Sequence, residues 1–187
     1  FTTAGGNYTI AVNGLDDLLL YDGAVWLPID GVSSPAITGV VTANLIDVNV
    51  HKQRVWYIET GTMDAWYTAT GQFAGTVTQF PLRAVFSEGG HLVSMNTWTL
   101  DAGQGVDDFA VFISSEGEAA VYAGTDPSAL ATWQLVGVFK VGEPIGQRCL
   151  TKYGAELMAV TTDGVLPLSN ALFAGQVGES AITDIIR

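Results

Sequence analysis

Basic residues are scarce: seven Lys and Arg stand against nineteen Asp and Glu, a net charge of −12 over 187 residues. Tight binding to nucleic acid takes clustered cations that displace phosphate counterions, so this balance excludes a protein that grips DNA. An acidic surface repels a duplex, which matters if DNA has to slide past it. Cysteine is nearly absent, and Cys149 alone forms no internal disulfide, so nothing requires an oxidising compartment. With no His, Asn or Asp pattern beside it, that thiol reads as structural. No apolar run is long enough to span a bilayer, and no charged start with an apolar core and cleavage site marks a signal peptide. The first residue is Phe1 rather than Met, so a segment of something longer, or a processed product, is expected.

What is present reads as β-structure. Hydrophobic residues make up 48 % and charged residues only 14 %, with 22 Gly among many Val, Thr and aromatic side chains. Branched and aromatic side chains fit a pleated surface, and Gly supplies the turns. The length suits one domain over 1–187. "ISSEGEAAVYAG" (113–124) reads as strand, tight turn and return strand, because Gly117 offers the positive φ that a short hairpin needs. The same grammar recurs in "LMAVTTDGVLPLS" (157–169), whose Gly164 lies 164 − 117 = 47 residues on. "LLLYDGAVWLPI" (18–29) places Gly23 two such periods earlier, 117 − 23 = 94. "RVWYIETGTMDAWYTA" (54–69) is a further hairpin with a longer loop. A period in the forties, with strands and no helical pattern, predicts a β-propeller built of blades of about four strands, here an incomplete set.

Residues 78–100 alternate like inner strands around Glu88-Gly89-Gly90, and 133–146 reads as one strand ending at Gly142. In "TDPSALATW" Asp126 and Pro127 predict a single helical turn. The tail "ESAITDIIR" fits a short amphipathic helix or a further strand.

Candidate chemistry is sparse. Ser115, Glu116 and Tyr122 have a reactive look, but a nucleophile needs a base in reach and no His lies in this stretch or its copies. They read as turn chemistry. "DGAVW" (22–26) resembles an Asp-box turn without its spacing, and four scattered arginines do not make a sialidase pocket. Gly103-x-Gly105-x-Asp107 resembles one unit of a calcium-binding repeat that works only in stacks. His51 and His91 stand forty residues apart with no second ligand beside either. Trp26, Trp56, Trp66, Trp98 and Trp133 are expected to fill wedges between blades. The residues support no catalytic group, cofactor site or metal site.

"VNGLDDLLLYDGAVW" (12–26), "RVWYIETGTMDAWY" (54–67), "GVDDFAVFISSEGEAAVYAGTDPS" (105–128), "WQLVGVFKVGEPIGQR" (133–148) and "AVTTDGVLPLS" (159–169) occur in an order that resembles the tail hub or nozzle proteins of short-tailed bacteriophages, the kind also described as stabilising packaged DNA. The resemblance covers residues 7 to 186 and implies a non-enzymatic structural virion protein. It implies a β-propeller assembled as a homohexameric ring below the portal and adaptor, in the virion tail. Such a ring conducts and retains the genome DNA without reading its sequence, mounts fibres or spikes, and involves no membrane. Its members are longer than this chain, which matches their middle part. The alternative expectation is a carbohydrate-binding or carbohydrate-cleaving propeller of a tail fibre or surface glycosidase.

Overall fold

The computed structural model describes residues 1–3, 5–101 and 106–174 of the chain, and within them the protein is all-β with one short helix. A two-residue antiparallel pair, β1 (Thr2–Thr3) and β2 (Gly6–Asn7), comes first. The first full sheet is β3 (Thr9–Ala11), β4 (Leu18–Tyr21) and β5 (Trp26–Ile29) in that order. The second takes β7 (Leu45–His51), β8 (Arg54–Glu59), β9 (Asp64–Tyr67) and β11 (Thr78–Pro81). Beside it, β6 (Ile37–Thr38) and β10 (Gly75–Thr76) form a two-residue parallel pair, an exception to the antiparallel hairpins expected throughout. The third sheet is β12 (Leu92–Asp101), β13 (Val106–Ser114), β14 (Glu118–Gly124) and β15 (Trp133–Lys140). The fourth is β16 (Leu150–Tyr153), β17 (Glu156–Thr161) and β18 (Gly164–Pro167), followed by helix α1 (Leu168–Ala174).

Each of these four sheets is an antiparallel meander with its strands in sequence order. The four predicted hairpins are the connections between second and third strands: β4–β5, β8–β9, β13–β14 and β17–β18. Gly23, Gly117 and Gly164 all have positive φ, at +102°, +81° and +124°. The 47-residue spacing therefore marks one structural position, with the hairpin of the second sheet set off by its longer loop.

Strand alternation makes the middle sheets apolar on both faces, as strands covered on two sides require. In β8, Val55 and Tyr57 face the first sheet while Trp56 and Ile58 face the third. In β13, Ala110 and Phe112 face the second sheet while Val111 and Ile113 face the fourth. The core is thus three successive layers, one in each gap between sheets. Trp56 and Trp133 stack at 5.7 Å in the middle layer, and Trp98 closes the third, its indole N–H donating to Ala155 O at 3.2 Å. Trp66 is half-buried beside the first layer, but Trp26 is 50 % exposed, contrary to its expected wedge role, because it lies on the outward face of β5.

Three local expectations are revised. Residues 78–100 are not one hairpin: β11 closes the second sheet, β12 opens the third, and the Gly89–Gly90 turn links sheets. Residues 126–132 form two successive turns and no helix, although Asp126 still accepts from the Ser128 N–H at 3.1 Å. At the other end the return strand stops at Pro167. Ser169 already belongs to α1, its N–H held by Glu156 Oε1 at 3.2 Å. "ESAITDIIR" lies outside the described residues.

Candidate functional site

The first strands of all four sheets converge on one cavity of about 330 Å³. Ile10 and Ala11 come from β3, Ile46 to Asn49 from β7, Ser94 to Asn96 from β12, and Arg148 and Leu150 from β16 and the residues before it. Convergence follows from the topology: successive meanders stack face to face, so their leading strands lie side by side, and β12 touches both β7 and β16.

No backbone pairing joins β7 to β12, and side chains do that work. Asp47 Oδ2 accepts the Ser94 hydroxyl and the Met95 N–H, each at 2.8 Å. Two residues on, Asn49 donates from Nδ2 to Met95 O at 3.1 Å. Thr97 spends its only hydroxyl hydrogen on Val50 O at 2.8 Å, so the 3.1 Å contact between Thr97 Oγ1 and His51 Nδ1 has the imidazole as donor. The alternation of β7 places Asp47, Asn49 and His51 on one face, and these three close the seam like a zipper.

The electrostatics fit a structural seam. Burial pushes the pKa of Asp47 up, against the pull of its Met95 and Ser94 hydrogen bonds and the positive charge of Arg148. Burial pushes that of His51 down to about 4, helped by Lys52. Farther out, Lys52 pairs with Asp108 at 2.9 Å and Arg54 with Asp126 at 3.2 Å, both across the same two sheets. Glu118 begins β14 and accepts from Ser87 N–H, Ser87 Oγ and Glu88 N–H. Burial raises its pKa, but those bonds outweigh it and the net shift is downward.

The sequence candidates do not gather into a site. Ser115 and Glu116 sit together in the exposed β13–β14 turn, where Ser115 Oγ meets Glu116 Oε1 at 3.1 Å, but Tyr122 is buried in the middle core layer, stacked 5.5 Å from Trp133. Asp22 accepts the Ala24 and Val25 N–H groups at 2.8 and 2.9 Å and shapes its turn. His51 lies in the seam while His91 is exposed ahead of β12. Cys149 is buried, and burial pushes its thiol up to about 11, an unreactive state at neutral pH. Gly103 and Gly105 lie outside the described residues, and among the described ones no three His, Cys, Asp or Glu side chains are grouped as metal ligands.

Sequence reasoning missed the seam residues, although a signal was there: Asp47 and Ser94, and likewise Val50 and Thr97, are one 47-residue period apart. Equivalent positions of neighbouring sheets meet at the convergence point. No protein-family model and no curated protein matches the chain.

Proposed function

We propose that this chain is a run of four β-propeller blades from the tail nozzle or hub of a short-tailed bacteriophage, a structural protein that helps conduct and retain the packaged genome. The observation that carries the propeller half is the convergence of four leading strands on one cavity, with the rest of each meander stacked outward. Blades around an axis are built this way. The nozzle half is supported by the ordered resemblance of 7–186 and by the net charge of −12, which keeps DNA from adhering to a surface it must pass.

The cavity itself is not the conduit. At about 330 Å³ it holds a few side chains or a small ligand, whereas the major groove of a duplex alone is about 12 Å wide. The path for DNA then lies between copies arranged in a ring, and the seam of Asp47, Asn49 and His51 serves to keep each copy rigid.

Co-sedimentation of the full-length protein with purified portal and adaptor tests this reading. Stable co-assembly that survives raised salt is expected; absence of binding under all salt conditions contradicts it, and selective retention by a glycan array would transfer the protein to the carbohydrate class.

A further inference from the structure

Three seams between sheets are built alike: one apolar face of a meander meets one apolar face of the next. The first sheet has such a face left over. In β3–β5, Ile10, Leu18, Leu20, Leu27 and Ile29 point into the first core layer. By strand alternation Thr9, Ala11, Leu19, Tyr21, Trp26 and Pro28 occupy the other side, and the pairings Thr9↔Tyr21↔Trp26 and Ala11↔Leu19↔Pro28 place them in two rows. None is charged. Leu19 is 41 % and Trp26 50 % exposed, and the Tyr21 and Trp26 rings lie 5.2 Å apart as a preformed platform.

Size and charge narrow the choice of occupant. Three strands about 4.8 Å apart, one of three residues and two of four, make a face of somewhat under about 200 Å², well short of the ~800 Å² per partner that a stable complex between separate proteins buries. A second copy meeting this face with its own would also bring its carboxylates up to Asp16, Asp17, Asp22 and Asp30, which stand at the ends of β4 and β5. A single sheet held in place by covalent continuity satisfies both limits, as the second, third and fourth sheets already do along this chain.

We propose that this outward face of β3–β5 seats a fifth antiparallel sheet, apolar and uncharged on its facing side, contributed by polypeptide continuous with this chain. The inference rests on the sheet-stacking part of the propeller reading and is independent of ring assembly or phage origin.

Hydroxyl-radical footprinting read by mass spectrometry, on this chain and on the longest polypeptide of its reading frame, tests it. Labelling of Tyr21 and Trp26 is expected to fall at least fivefold in the longer polypeptide at every protein concentration. Leu130, which is 92 % exposed and away from this face, keeps its labelling. In the longer polypeptide, Trp26→Asp is expected to restore labelling of Tyr21 while the near-ultraviolet signal of the buried Trp56 and Trp133 persists. Unchanged labelling, a reading frame that adds nothing to these residues, or protection that grows with concentration and so reports a second copy would each overturn it. Failure to form a six-fold ring leaves this result untouched, and a ring in which Trp26 stays exposed defeats this inference alone.

Discussion

His51 carries the clearest pH dependence at the scale of single residues. Above its ordinary pKa of 6.5 the ring is neutral in both the folded and the unfolded chain, and it adds nothing to stability. Between 6.5 and about 4 the unfolded chain takes up a proton that the buried ring refuses, so stability falls with pH by up to about 3 kcal/mol. Asp47 acts in the opposite sense, because its raised pKa lets the folded carboxyl take its proton first and regain some stability on the way down to 3.8. Glu118 and Asp108 are shifted downward, so their contributions are lost only below the ordinary carboxylate range. Urea unfolding of His51→Gln as a function of pH is therefore expected to show a flatter profile between 4 and 6.5 than the parent chain; an unchanged slope places the titration elsewhere. Asp47→Ala leaves the Met95 N–H and Ser94 hydroxyl without their acceptor and is expected to cost about 1–3 kcal/mol at neutral pH, again read by urea unfolding.

At the scale of elements, equivalent glycines differ in what surrounds them. Gly23 and Gly117 both adopt positive φ, but a Cβ at Gly23 meets open space, whereas one at Gly117 runs into the backbone of Gly142 and Glu143. Gly23→Ala is expected to cost about 1 kcal/mol from φ alone, and Gly117→Ala a further ~1–3 kcal/mol typical of overpacking. Thermal unfolding of the pair separates the two terms, and equal losses contradict the packing argument. Trp56→Ala, in the middle core layer, is expected to cost about 3–5 kcal/mol. The hairpins were legible in the sequence because turn glycines and strand alternation are local, so Gly23, Gly117 and Gly164 gave away both the turns and their period. Membership of sheets was not local. Nothing near residue 81 signals that β11 ends one sheet and β12 opens another, and nothing near Asp47 names Ser94 as its partner until the period is applied to polar residues as well as to glycines. Trp56, Trp98 and Trp133 are buried between stacked sheets, where both faces of the sheet are covered, whereas Trp26 on the outermost face is exposed.

For the whole molecule, the four stacked meanders bear on the nozzle proposal, under which rigidity and repulsion of DNA would matter more than chemistry. Each link from β7 to β12 ties one sheet to the next without backbone pairing. On the nozzle proposal the net charge of −12 would act through the field along a path between copies, screened beyond about 8 Å at physiological salt. Native mass measurement combined with image averaging of the full-length protein, with and without portal and adaptor, is the experiment that decides between a nozzle ring and a lone propeller. Six copies around a hole wide enough for a duplex are expected, with the leading strands of each copy's meanders gathered about a separate, narrower axis. A protein that stays monomeric in the presence of portal and adaptor would contradict the nozzle proposal.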